Sequence, residues 1–301
     1  MALSNLILDF KNRNVRALAR CISLVENESD GFDTLLTTLH PQKTVPVIGF
    51  TGAPGAGKSS LVNALTNHWV AEHKTVAIIA VDPTSPFNYG SLLGDRIRMV
   101  DQINNENVFI RSMATRGSLG GLCGKIIEVI QLMQAFGFDY IILETVGVGQ
   151  SEVEIAGVAD TSVVVVVPES GDEVQTLKSG VMEIADIFAV NKCDREGADK
   201  MSHNLKALVH DKHGDWKIPV LSTIATENNG ILELAKAIEQ HTSIAHQNNK
   251  RAQLLVEKAL LLIQKDKVKH FNRKKMEEEI LNLLNQNHFN LYVYVRSKLL
   301  L

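Results

Sequence analysis

A doubly wound α/β fold with a mostly parallel sheet is predicted by three features of this sequence. Short Val/Ile-rich runs alternate with helix-patterned stretches from residue 45 to residue 243. The apolar runs are continuous rather than alternating, as expected of strands buried on both faces. A glycine-rich run, Gly52-Ala53-Pro54-Gly55-Ala56-Gly57-Lys58-Ser59, lies between the first strand of the series and its first helix. It fits G-x-x-x-x-G-K-[ST] in the strand–loop–helix context that this pattern needs.

Length and composition set the outer bounds. At 301 residues there is room for one large α/β domain plus helical additions. Hydrophobic residues make up 45% and charged residues 22%, ordinary values for a globular chain. The net charge of −3 supplies no global basic field, so neither nucleic acid nor an anionic membrane is an expected partner. Cys21, Cys123 and Cys193 are scattered and form no C-x-x-C pair, which argues against a disulfide framework or a zinc site. The N-terminus mixes acidic and basic residues behind a very short apolar run, unlike a secretory signal, and no apolar stretch reaches membrane-span length. A cytoplasmic location is the expectation.

In chain order, residues 1–42 read as an N-terminal helical extension, with Val15, Leu18, Ala19, Ile22 and Val25 at helix spacing. Pro41 and Pro46 bracket the approach to the first strand. Residues 43–240 form the α/β domain. Strands are expected at 45–50, 75–81, 107–113, 139–144, 161–167, 186–190 and 217–222. Helices are expected at 59–73, 119–136, 151–158, 174–185, 197–210 and 230–243. From Gln240 to Asn287 there is no glycine or proline and much Leu, Lys and Glu. Leu254, Leu255, Ala259, Leu262 and Ile263 make one apolar face, continued by Met276, Ile280, Leu283 and Leu284. The basic residues from Lys265 to Lys275 read as a solvated face, since acidic residues surround them. Long amphipathic helices after a complete α/β domain need an apolar partner, so 241–301 is expected to be a helical dimerisation arm.

The chemistry begins at the loop. Gly52, Gly55 and Gly57 let the backbone curl round a triphosphate, so that N–H groups of Gly52 to Ser60 face the anion at a helix N-terminus. Lys58 is expected to reach the β- and γ-phosphates and the Ser59 hydroxyl to bind Mg²⁺. The run Asn191-Lys192-Cys193-Asp194 follows an apolar strand, as a guanine-reading N-K-x-D does. An aspartate accepts two hydrogen bonds from guanine N1–H and the exocyclic amine, and adenine offers no such donor pair. Asn191 would brace the base and the loop, and the Lys192 stem can pack on the purine. A helix cap is the plain alternative for Asp194. Ser222, Thr223 and Ile224, at the end of the next strand, are placed to close over the base with backbone amides.

Three carboxylates complete the set. Glu144-Thr145-Val146-Gly147 ends a strand where phosphate-loop enzymes carry a Mg²⁺-holding carboxylate, here Glu instead of Asp. Asp82, also at a strand end, falls beside the phosphates, and Asp95 follows with Arg96 and Arg98. Helix capping or surface pairing reads Asp95 and the arginines equally well. Gln150, in the flexible Gly147–Ser151 segment, reads either as a water-positioning residue or as a polar loop residue. Histidines are scattered without H-E-x-x-H, so Mg²⁺ is the expected metal.

These runs resemble the MeaB/ArgK-type GTPases, the methylmalonyl-CoA mutase-associated proteins. The likeness rests on Arg16 to Arg20, Gly52 to Ser60, Val81 to Phe87, Gly90 to Met99, Thr115 to Gly121, Glu144 to Glu152 and Asn191 to Asp194. The Asp-Pro-Thr-Ser-Pro run from Asp82 and the Glu-Thr-Val-Gly-Val-Gly-Gln run from Glu144 are together specific to this group. The resemblance implies a homodimeric, Mg²⁺-dependent GTPase that cycles between GTP and GDP. It implies an adenosylcobalamin-dependent acyl-CoA mutase as partner, with nucleotide gating cofactor loading and protecting the mutase. By the same likeness, Ser59, Asp82, Asp95 and Glu144 belong to the Mg²⁺ region, Lys58, Glu144 and Gln150 to the catalytic group, and Gln175 and Lys178 to an extra switch facing the mutase. Two departures stand out: Val167-Pro168-Glu169-Ser170-Gly171 replaces a usual Pro-Gly-Ala-Gly form, and the C-terminus ends at Leu301 where the family often continues with a further helical tail. A nickel-inserting GTPase is the main alternative and calls for a Cys/His cluster near the nucleotide. An arginine/ornithine transport-linked kinase finds no support in the residues, Asp194 argues against an ATP-dependent protein kinase, and a non-catalytic dimeric scaffold would lack Lys58-dependent hydrolysis.

Overall fold

The computed structural model describes residues 2–41, 43–82, 102, 105–114, 124–145, 157–169, 181–210, 216–244, 249–269, 271–285 and 290–299. The chain divides into two compact units, Met1–Arg251 and Ala252–Leu301.

The first unit is built on a seven-stranded sheet. Its strands are β1 (Val47–Thr51), β2 (Val76–Asp82), β3 (Val108–Ala114), β4 (Tyr140–Thr145), β5 (Thr161–Val166), β6 (Ile187–Val190) and β7 (Val220–Ser222). The order is β3-β2-β4-β1-β5-β6-β7, and every paired neighbour runs parallel. After β1 the chain moves outward to β2 and β3, returns to β4 beside β1, then crosses to β5 on the other flank. The winding thus reverses around β1, and a crevice opens beyond that strand's C-terminal end.

The strands carry no apolar/polar alternation because both faces are covered. Val163 and Val165 pack with Ile48, Phe50 and Ile142 under α4 (Lys58–Ala71) and α8 (Ile231–Ile244), with Leu61, Leu65, Leu234 and Ile238 as the helix contribution. Val164, Val166, Phe188 and Val190 face the other way, against Met201 and Leu205 of α7 (Ala198–His210). Period-two geometry splits one Val run between two cores. Trp69 of α4 stacks on Tyr140 at 3.9 Å, and both donate to Glu239 of α8, at 3.3 and 3.1 Å.

The amino-terminal residues form α1 (Leu3–Lys11), α2 (Val15–Glu26) and α3 (Phe32–Thr38). Asn14 caps α2 by accepting from the amides of Arg16 and Ala17. The buried stripe of α2 is Ala17, Leu18, Cys21, Ile22 and Val25. Val15, expected in that stripe, is exposed because it occupies the first helical position, ahead of the packed turns. The stripe packs on α5 (Ile126–Phe136), and Phe10 meets Phe136 edge to face at 5.2 Å. Burial pushes the Cys21 thiol up to about 12, which leaves it a packing residue.

Most boundaries fall within two residues of expectation. β7 is shorter than 217–222 because Pro219 has no N–H for the ladder. The helix expected from 119 has its described start at Ile126, after a turn at 124–125, and 119–123 lie outside the described residues. Of the helices expected at 151–158 and 174–185, the described parts are 157–158 and α6 (Val181–Ile184).

Three helices follow: α9 (Asn249–Lys267), α10 (Arg273–Asn285) and α11 (Leu291–Leu299). The Tyr294 hydroxyl of α11 donates to Glu279 of α10 at 2.8 Å, and Lys298 pairs with the same carboxylate. Val256, Leu260, Leu261 and Ile263 of α9 are exposed. Among the described residues no helix is long and apolar enough to cross a membrane.

Candidate nucleotide site

The crevice beyond β1 holds the glycine-rich loop. Gly52 has φ +141°, and a Cβ there would stand 2.1 Å from the Val165 carbonyl oxygen. Gly57 has φ +87°, and its Cβ would meet the Asn191 side-chain nitrogen at 2.3 Å. Both positions therefore exclude any side chain. Gly57 caps α4 without a side-chain acceptor, so nothing on its own cap competes for the helix's leading N–H groups. Lys58 is buried, and its ammonium donates to the carbonyls of Gly52 at 2.7 Å and Ala53 at 3.0 Å. Ala56 is buried, whereas Pro54, Gly55 and Ser60 are exposed along the loop.

Ser59, in the first turn of α4, meets Glu144 near the C-terminal end of β4. The Ser59 hydroxyl donates to Glu144 Oε1 at 2.6 Å, and Glu144 stands opposite Phe50 of β1 and Ala80 of β2. The carboxylate is 9% exposed. A hydroxyl and a buried carboxylate are hard oxygen donors, so this pair fits Mg²⁺, which takes few protein ligands and keeps several waters. Asp82 is the last residue of β2, two positions beyond Ala80. Among the described residues no group of three or more His, Cys, Asp or Glu is placed to hold a metal. Asp95, Arg96, Arg98, Gln150, Gln175 and Lys178 lie outside the described residues.

Beyond β6, the Asn191 side chain ties three loops together. Its Nδ2 donates to the Ala56 carbonyl at 2.9 Å. Its Oδ1 accepts from the Thr223 hydroxyl at 3.3 Å and the Ala225 amide at 3.2 Å. The brace anticipated for Asn191 thus reaches into the phosphate loop itself. Lys192 has φ +58°, a left-handed turn, and Asp194 is exposed beyond it. The Thr223 amide donates to Val190 at 2.8 Å, and the Ile224 amide to Asn229 at 3.1 Å. Those two amides, expected to close over a base, are therefore engaged within the chain. The Ser222 hydroxyl lies 3.3 Å from that of Ser202. Nothing in the sequence marked Ala225 or the Thr223 side chain as part of this web; the fold brings them in through the turn after β7.

Two further groups border the site. Arg195, just past Asp194, pairs with Glu169 in the loop after β5, and that hydrogen bond holds the Glu169 carboxyl below its usual range. Cys193 is half-buried with Sγ 3.0 Å from the Val190 carbonyl, while Cys123, the second thiol in the metal-insertion alternative, lies outside the described residues.

Known proteins resemble this chain over most of its length. The family described as Methylmalonyl Co-A mutase-associated GTPase MeaB matches residues 18–279. A relative from Pyrococcus abyssi is 43% identical over 289 residues, 94% of this chain and 84% of the relative. The Fused isobutyryl-CoA mutase of Geobacillus kaustophilus is 36% identical over 232 residues, 72% of this chain but 21% of that protein. The crystal structure of LAO/AO transport system kinase superposes with a TM-score of 0.69 at 26% identity, covering 98% of this chain and 95% of that one. Since the matched span takes in the phosphate loop, Glu144 and Asn191 alike, the chain belongs to the MeaB family of methylmalonyl-CoA mutase-associated GTPases.

Proposed function

We propose that this chain binds and hydrolyses GTP with Mg²⁺ and acts as a nucleotide-driven chaperone of an adenosylcobalamin-dependent acyl-CoA mutase. The observation that carries the nucleotide reading is the Asn191 side chain. One amide holds the phosphate loop through Ala56 and the base-side turn through Thr223 and Ala225. A base recognised at Asp194 is thereby linked mechanically to the loop that holds its phosphates.

In this reading the loop amides and the first turn of α4 bind the phosphates. Lys58 exchanges the carbonyls of Gly52 and Ala53 for phosphate oxygens, and the buried setting strengthens that contact. Ser59 and Glu144 would hold Mg²⁺, with Asp82 and Asp95 as further ligands; when bound, the metal neutralises charge developing on the β- and γ-phosphates. Gln150 would orient the attacking water, and Gln175 and Lys178 would carry the nucleotide state to the partner. Asp194 would select guanine through N1–H and the exocyclic amine, with Lys192 packed on the purine.

The partner half of the proposal is supported by the family to which the chain belongs and by the mutase relative, where a like stretch fills about a fifth of one protein. Homodimerisation through the C-terminal helices is supported by the exposed apolar residues of α9. A pull-down from native lysate with GTP-loaded protein tests the partner. Recovery of a cobalamin-dependent acyl-CoA mutase, reduced when GDP replaces GTP, is expected. Its consistent absence in both nucleotide states would leave the GTPase without this role.

A further inference from the structure

A pocket lies toward the N-terminal ends of the central strands β1 and β4, away from the nucleotide loops at their C-terminal ends. It has a volume of about 440 Å³ and is walled by the end of α1, the turn into α2, the segment after α3 and the end of α5. Its lining precedes β1 and β4, whereas the phosphate loop follows β1 and Glu144 lies near the end of β4. One strand length, roughly 15 Å, separates the two levels.

The chemistry of the lining is one-sided. Lys11, Arg13, His40 and Lys43 all contribute, and no Asp or Glu does among the described residues. Phe10 and Phe136 supply an apolar wall, meeting edge to face. Arg13 is held in place: its Nη1 donates to the Gly137 carbonyl at 3.0 Å, and its guanidinium lies over the Phe136 ring at 5.9 Å. Gly137 has φ +91°, and a Cβ there would stand 2.8 Å from the same guanidinium, so the glycine makes room for the arginine. A guanidinium carries five donors, and that carbonyl takes one of them. Lys43 pairs with Asp139 at 2.9 Å, a carboxylate outside the lining, so one cation of the group is balanced locally.

We propose that this pocket binds the phosphate group of a small phosphate ester. A basic lining without a carboxylate favours an anion of more than one charge. A phosphate monoester carries close to two charges and three acceptor oxygens, which an arginine fork and a lysine ammonium can share. The volume lies within the range of small-molecule sites.

Phenyl phosphate titrated against the full chain, with one equivalent of GDP and Mg²⁺ occupying the phosphate loop and no free GDP in excess, tests the proposal by calorimetry. Saturable binding that weakens about tenfold in both Lys11→Glu and Arg13→Gln, with an unchanged melting temperature in Lys11→Glu, is expected from the loss of a charge-assisted contact. Lys11 is exposed at the end of α1, so its variant keeps the fold even where Arg13→Gln disturbs the turn. No saturation at millimolar phenyl phosphate, equal affinity in the Lys11→Glu variant, or equally tight binding of benzoate would each overturn it.

Discussion

At the scale of single residues, Asn191 and Asp194 divide the work of the base loop. Asn191 is buried with its amide nitrogen and oxygen both bonded, so Asn191→Ala strands the Ala56 carbonyl and the Ala225 amide, while the Thr223 hydroxyl keeps the Val190 carbonyl as acceptor. Each buried group so orphaned costs about 1–3 kcal/mol. A lower melting temperature and a guanine-nucleotide affinity reduced by about tenfold or more are expected from thermal unfolding and a GDP titration. Asp194 is exposed and its substitution should spare stability. Asp194→Asn presents one donor and one acceptor, which match the C2 carbonyl and N1–H of xanthine. Competition binding should show GTP losing and xanthosine triphosphate gaining affinity, each by about tenfold. The N-K-x-D spacing suggested a base loop after β6, but not where Asn191 points. That depends on β6 ending level with the loop after β1, a tertiary fact no local pattern carries.

At the scale of elements, the sheet was legible because its strands are continuous Val/Ile runs, and the run from Thr161 to Val167 could hardly fold otherwise. What stayed hidden is how polar side chains pin strand starts. Asp139, just before β4, accepts from the Thr75 amide and hydroxyl at 2.9 Å each and pairs with Lys43. Burial works against its charged form, but the Thr75 bonds and the Lys43 ammonium together outweigh that and hold the carboxyl below its ordinary value. With the folded value depressed, the contribution is fully present above the ordinary aspartate pKa, about 3.9, and is lost as pH falls through the depressed folded value. Asp139→Asn should therefore lower the melting temperature at neutral pH, with a smaller difference from the parent in strong acid. The group is partly exposed, so the effect is modest, on the order of 1 kcal/mol. The phosphate loop shows the opposite sensitivity. Gly57→Ala forces a Cβ against Asn191 at a left-handed backbone position, and should abolish measurable nucleotide binding while the sheet, read by circular dichroism, remains.

At the scale of the whole molecule, two units divide the labour proposed for them. Met1–Arg251 contains every described residue of the nucleotide site, and Ala252–Leu301 carries most of the exposed apolar surface of α9. A chain ending at Arg251 should keep GTP binding yet sediment as a monomer, while the full chain sediments as a dimer. A monomeric full chain would remove the dimerisation proposal without touching the nucleotide site. The apolar face running through Leu254, Leu255, Ala259, Leu262 and Ile263 made these helices legible, but their partner was not, because an apolar stripe specifies burial and not what buries it. The central claim is guanine-specific, Lys58-dependent hydrolysis, and steady-state turnover of GTP and ATP by the full chain with Mg²⁺ measures it most directly. The account predicts kcat/KM for GTP at least about a hundredfold above that for ATP, with Lys58→Ala reducing GTP turnover by about two orders of magnitude or more. Equal use of ATP, or a GTPase rate unchanged in Lys58→Ala, would contradict it.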